Sequence, residues 1–420
     1  MTKNAEFYYF TLADDLPRKD KLRWFDTTKF KDIPFERIHP DEKGNWLNLT
    51  DNDFESLMLL VDKNSDNTIF RFSSLGVSTN RDEWVYDFSK ENLSSKMQFF
   101  IKTYNELLAN HDESWNETIK WSECLKAIFK RKEKIIFDEN LLKESNYRPF
   151  IKQFFYAEKF LNDRLTQNHY DFFGAKLNKE NFAISVMLGT AKPFSILISA
   201  GVSDLNFLSS AAGGTTFFTH YVFDKEGNRH DNITNWALNQ FKNRYAFELT
   251  KIDIFHYVYA VLHHPVYREK YEQNLKREFP RVPFYDDFSQ WVEWGKTLMA
   301  LHLNYETVEP YPLKRVDSKT SKIPKAKLKA DKINGVIELD ENTSLSGIPV
   351  EAWDYKLGNR SALEWILDQH KNKPKKDATI AEKFNHYHFA DYKEAVIDLL
   401  MRVCTVSINT VTITKAMKKI

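Results

Sequence analysis

The chain has 420 residues, and its 33 Phe, 19 Tyr and 10 Trp against only 12 Gly exclude a disordered or low-complexity polymer and give ample material for two or three packed units. Sixty Lys and Arg stand against 59 Asp and Glu. That balance excludes a protein that coats nucleic acid by bulk charge and leaves local basic patches as the route to a polyanion. Two cysteines, Cys124 and Cys404, cannot make a disulfide framework, no Cys/His spacing suits a zinc site, and both points fit a reducing cytoplasm.

The predicted elements follow in chain order. Met1-Thr2-Lys3-Asn4 is not a signal-peptide start. Glu6 to Phe10 and Ile69 to Phe72 read as short strands. Leu93 to Leu108 has helical spacing, with Met97, Ile101, Tyr104 and Leu108 on one face. Lys134 to Phe137 reads as a strand, and Pro149 interrupts the aromatic segment from 147 to 160. Ala183 to Met187, Ser195 to Ser199 and Phe217 to Phe223 read as buried strands, the last ending at a turn near Lys225-Glu226-Gly227-Asn228. Asp231 or Asn232 is the expected cap of a helix bearing Trp236, Leu238, Phe241 and Tyr245. Helices are expected over 253–263, 267–279 and 288–303, with prolines between them. Residues 310–332 read as a lysine-rich loop or edge, 333–339 as a strand, and two terminal helices close the chain. The expected class is α+β. A joining α/β segment occupies 1–110, a β-rich recognition core 111–230, a helical, bundle-like section 231–309, and a basic loop, hairpin and terminal helices 310–420. The apolar stretches 182–201 and 396–413 are broken by Lys192-Pro193 and by Asp398 and Arg402, so neither reads as a membrane span.

Two segments place arginine beside small polar residues at a turn flanked by aromatics: Thr79-Asn80-Arg81-Asp82-Glu83-Trp84-Val85-Tyr86, and Trp353 to Trp365. In the second, Gly358 can supply a positive φ, and Asn359 or Ser361 can cap the helix that begins at Ala362. The first resembles a signature of type ISP restriction–modification enzymes. Matching segments follow in the same order: Tyr147 to Phe150, Asp231 to Leu238, Asp253 to His263, Tyr267 to Tyr271, Pro280 to Phe284, Leu301 to Glu306, and Trp353 to Trp365. The resemblance covers nearly the whole chain. It implies the C-terminal target-recognition domain, which reads double-stranded DNA for an upstream N6-adenine methyltransferase domain, in cis or in trans. It further implies that S-adenosylmethionine, ATP and Mg serve the parent enzyme and not this chain. The chain begins where a family methyltransferase would end, which implies a truncated form.

The catalytic equipment of that parent is absent from the residues. No Pro-Pro occurs, so there is no Asn/Asp-Pro-Pro-Tyr/Phe loop for a flipped base. Gly295-Lys296-Thr297 is only superficially like a phosphate loop, because the earlier glycine position is Gln290. His263-His264 and His386-Tyr387-His388 lack acidic or thiol partners at ligand spacing. What remains is recognition chemistry. Arg81, Arg148, Arg229 and Arg360 are the expected readers, with Asn80, Asn359, Ser361 and Lys192 as further readers or phosphate ligands. Lys322, Lys325, Lys327 and Lys329 lie in the densest basic run, and the last three share one face of an extended strand. A solvated surface loop is the competing reading of that run. A docking module without sequence specificity is the competing reading of the whole chain.

Overall fold

The strands Phe182–Met187 and Ser195–Ala200 pair in antiparallel register at the centre of the molecule, flanked by Thr216–Thr219 and then Ser74–Leu75. The structure is a computed structural model and describes residues 5–13, 16–40, 44, 46, 52–188, 192–208, 213–318 and 324–419. Side chains alternate across this sheet. Ala183, Met187, Leu197 and Phe217 enter one hydrophobic core, while Ile184, Val186, Ile196, Ile198 and Phe218 enter another. Because both faces are covered, the strands read as continuous apolar runs and not as an alternation of apolar and polar residues.

One covering layer is helical. Lys251–Val261, capped by Thr250 and Asp253, packs against Phe288–Leu303. The two axes come so close that a Cβ at Gly295 would sit 1.9 Å from the His256 carbonyl oxygen. Gly295 is therefore a packing glycine inside a helix, which disposes of the phosphate-loop likeness. The other layer holds an antiparallel sheet in the order Lys314–Asp317, Thr343–Ser346, Val336–Asp340, Ala326–Asp331, together with helices Ala362–His370 and Phe389–Met417. The last helix is long and apolar enough to cross a membrane by composition. Its Val396, Leu400, Val403, Cys404 and Val406 are instead buried in this core.

A third core joins helix Lys90–Ala109 to the sheet Tyr86–Asp87, Ile151–Tyr156, Leu142–Arg148. Met97, Ile101, Tyr104 and Leu108 are buried as their spacing requires, and Ser89 caps the helix by accepting the Asn92 N–H at 3.1 Å. The N-terminal residues differ from the rest. The strands Phe7–Tyr9 and Glu36–Ile38 pair, but helix Arg18–Thr27 buries no residue.

The expected α+β class holds, with several local corrections. Residues 69–72 form one isolated bridge, Phe70 to Ile233, because this stretch joins no strand ladder. Residues 134–137 lie outside the named strands. The 147–160 segment is a hairpin turning at Pro149-Phe150, with Phe150 at φ 60°. Thr234, not Asp231 or Asn232, caps the next helix by accepting the Ala237 N–H at 3.0 Å. Asn232 is spent on the Phe72 backbone, accepting its N–H at 2.8 Å and donating to its carbonyl at 2.9 Å. The expected 267–279 helix is two short pieces, Pro265–Lys270 and Glu272–Leu275. The lysine-rich 310–332 stretch contains two strands.

Candidate functional site

Two of the expected readers are inside the protein. Arg81 is 3% exposed. Its guanidinium donates to the carbonyls of Lys120 and Leu161 and, at 2.6 Å, to Ser122 Oγ, with Asp163 at 3.6 Å. Burial pulls its pKa down to about 10, which Asp163 opposes. Asn80, at φ 54°, donates to the same Asp163 at 2.6 Å. Arg148 is 7% exposed, lies 3.9 Å over the Tyr147 ring and donates to Asp204 at 2.7 Å. Burial is the largest influence on Asp204 and raises its carboxyl, against the pull of Arg148. The expectation that Arg81 and Arg148 face DNA is therefore corrected: their donors are consumed by carbonyls and carboxylates that an unpaired buried cation would otherwise lack. The neighbouring motif residues act alike. Glu83 accepts the N–H groups of Lys376 and Asp377, and Trp84 Nε1 donates to Asp377 at 2.7 Å.

Other candidates meet at one end of the central sheet. Met187 pairs with Ser195, and Val186 with Thr216, so the turn after Met187 and the chain entering Thr216 emerge together. The Lys356–Ser361 hairpin docks there. Gly358, at φ 67°, donates its N–H to Ser195 Oγ at 2.5 Å. The Lys192 side chain runs across this glycine, with Cδ 3.6 Å from where a Cβ would be. Partial burial, and then repulsion from Arg360, holds the Lys192 ammonium below its ordinary pKa. Asn359 is exposed at the turn. Arg360 lies 5.0 Å over the Trp365 ring and 3.1 Å from Asp368, with 38% of its side chain exposed. Lys373 shares Asp368 at 3.0 Å. Ser361 is buried and caps the helix: it accepts the Glu364 N–H at 3.3 Å, and Glu364 returns to the Ser361 N–H at 2.9 Å. That box holds Asn359 and Arg360 in place, while Ser361 itself is consumed by it.

The remaining candidates lie apart. Arg229 is exposed on the hairpin Tyr221–Phe223/Arg229–Asp231, 4.2 Å over Tyr221, beyond the opposite end of the central sheet. Lys322 falls outside the described residues. Lys325, Lys327 and Lys329 are exposed on and beside the edge strand Ala326–Asp331, with Leu328 turned inward at φ 46° at a bulge. Lys327 approaches Glu338 at 3.6 Å. Lysines on an edge strand deter edge-to-edge pairing. Sequence reasoning missed Arg268, which lines a cavity with Phe194, His263, Tyr355 and Gly358 beside the Lys192 turn. It lies in the Tyr267 to Tyr271 segment, and no residue pattern there distinguishes it from Arg81.

The model of the Type ISP C-terminal specificity domain matches residues 68–399. The chain belongs to that family. A DrdV–DNA complex solved by cryo-electron microscopy is 42% identical to this specificity domain, with a TM-score of 0.84 over 98% of this chain and 43% of that one. A nuclease-deletion mutant of the Type ISP restriction–modification enzyme LlaGI, in complex with a DNA substrate mimic, is 31% identical, with a TM-score of 0.75 over 99% of this chain and 39% of that one. The ATP-dependent Type ISP enzyme LlaBIII, bound to DNA, is 28% identical, with a TM-score of 0.77 over 91% and 26%. The specificity domain spans less than half the length of each of these chains. Comparison with curated protein sequences returned no significant match.

Proposed function

We propose that this chain reads a sequence in double-stranded DNA and holds an N6-adenine methyltransferase domain of a type ISP restriction–modification enzyme over its target. The observation that carries the reading is the loop end of the central sheet. There a sheet covered on both faces and a capped helix hold Lys192, Asn359 and Arg360 on neighbouring turns, Asn359 exposed and the other two half-buried. Such turns on a stiff scaffold suit base-edge and phosphate contacts. The likeness to enzymes solved with DNA supports the same reading. Lys325 and Lys329, which form no ion pair with a carboxylate among the described residues, add a separate basic stretch on the edge strand. In the parent enzyme, S-adenosylmethionine, ATP and Mg would serve segments outside this chain.

Selection from a random duplex library, at two salt concentrations, tests this. Recovery of one motif, lost in Lys192→Ala/Arg360→Ala, supports reading at the loop end. Uniform recovery supports a docking module instead. That second reading draws on the N-terminal residues, where Phe7, Tyr8, Phe25 and Phe30 are exposed at 46, 56, 68 and 79%.

A further inference from the structure

Arg268 is the unusual cation of this molecule. The three buried cations among the described residues have carboxylates: Arg81 with Asp163, Lys96 with Asp87, Arg148 with Asp204; Arg268 is half-buried. Arg268 has none within ion-pairing distance among the described residues. Its Nε donates to the Leu262 carbonyl at 2.8 Å, and its guanidinium lies 5.3 Å from the Phe194 ring centre. The titratable groups nearest it are the neutral hydroxyls of Tyr355, Tyr259 and Tyr267, and burial brings its pKa down to about 10. Its Nη donors have no hydrogen-bond partner among the described residues.

The cavity it lines holds two further unspent groups. His263 and Tyr355 are 3% and 6% exposed, and His263 Nε2 and Tyr355 Oη are buried without hydrogen-bond partners among the described residues. His263 Nδ1 hydrogen-bonds the Tyr259 carbonyl at 2.8 Å, so Nδ1 carries the ring proton and Nε2 presents a lone pair. Tyr355 is stacked on His302, at 5.3 Å and 6° between planes, and burial keeps its hydroxyl protonated and able to donate. Asp354 also lines the cavity but makes no ion pair with Arg268. Buried polar groups left unpaired are costly, and two of them line one cavity beside the Arg268 guanidinium, which calls for a ligand.

We propose that this cavity binds a phosphate group: Arg268 and Tyr355 donate to its oxygens, and His263 Nε2 accepts the proton of its P–OH. The required pattern is an anion that also carries a hydroxyl, which monohydrogen phosphate and a singly ionised phosphate monoester possess and sulfate does not. The inference goes beyond DNA reading and does not depend on it. A free phosphate compound and the terminal phosphate of a nucleic acid both offer that hydroxyl, an internal phosphodiester does not, and the experiment separates these sources.

Isothermal titration calorimetry of the chain with inorganic phosphate, and with sulfate at matched ionic strength, tests the site. Binding of phosphate in preference to sulfate is expected. Tyr355→Phe, which keeps the ring stack and removes one donor, should weaken phosphate binding about tenfold. Arg268→Gln should abolish it. Displacement of bound phosphate by a 5′-phosphorylated duplex, but not by the same duplex without terminal phosphates, assigns the site to a nucleic-acid end. Simultaneous binding assigns it to a free phosphate compound, and displacement by the unphosphorylated duplex overturns the hydroxyl requirement. No phosphate heat, or equal binding by wild type and Tyr355→Phe, overturns the proposal. The Tyr355→Phe arm holds even where Arg268→Gln fails to fold.

Discussion

The 79–86 segment and the 353–365 segment look alike as sequence and have opposite fates. Each puts an arginine beside small polar residues between aromatics. Around Arg81 the fold supplies Asp163, Ser122 and two carbonyls, and the side chain vanishes into the core. Around Arg360 it supplies one carboxylate, Asp368, already shared with Lys373, and leaves the side chain over a third exposed. The difference lies in which distant acid the topology delivers to each turn. Asp163 comes from the turn after the Ile151–Tyr156 strand, whereas Asp368 comes from the second turn of the very helix that Ser361 caps. A buried arginine with a full set of partners is a strut. An arginine with a single, shared, solvent-facing acid can exchange that acid for a phosphate at little cost.

The largest expected effect tests the strut side. Arg148→Ala should destabilise the chain by about 3–5 kcal/mol in urea unfolding, because it leaves the Asp204 carboxylate buried without its cation. Arg148→Met/Asp204→Leu should recover much of that loss. A loss under about 1 kcal/mol would erase the distinction between the two segments.

Acid provides the next test, on the buried histidines. Burial depresses the pKa of His302 to about 3 and those of His264 and His370 to about 4. Their folded values lie below the unfolded value of 6.5, so the stabilising contribution is whole above pH 6.5 and is lost as pH falls toward 4. Each such histidine should contribute a slope of about 1.4 kcal/mol per pH unit within that window. His302 Nδ1 is 2.7 Å from Tyr259 Oη, and its Nε2 is 2.8 Å from Thr410 Oγ1. His302→Gln should flatten the unfolding free energy against pH, and an unchanged slope would place the titration elsewhere.

Arg360→Ala should leave urea stability within about 1 kcal/mol of wild type, since its ion pair is partly exposed. Its effect belongs to binding. Affinity should fall for every duplex alike if Arg360 clamps phosphate, or at one base position by roughly 1–3 kcal/mol if it reads an edge. Unfolding on this substitution would make Arg360 a second strut. The smallest effect is expected from Lys325→Ala/Lys329→Ala, which should reduce the slope of log affinity against log salt by about one for each lysine in contact with phosphate. A constant slope would leave these lysines as guards of the sheet edge.

These fates show what the residues alone could carry. The Gly358 turn, the capping box at Ser361, the central strands and the apolar face of Lys90–Ala109 depend on neighbours within a few positions, and all were legible. The burial of Arg81 and Arg148 depends on Asp163 and Asp204, 82 and 56 residues away. No local pattern announces such pairings. The same holds for Asn232, which reads as a helix cap until Phe72 arrives to occupy its amide. Arg268 was missed for the converse reason: what sets it apart is the absence of an acid, and that is a property of the assembled cavity.

The grip of Glu83 and Trp84 on residues 376–377 makes the molecule a closed ring in all but covalent bonds. The Lys371–Lys375 linker carries a chain that is already pinned on both sides, by the capped helix before it and the Glu83 contact after it. A protease cut there would release no fragment. The nicked particle would migrate as one body under native conditions and part into two only in denaturant.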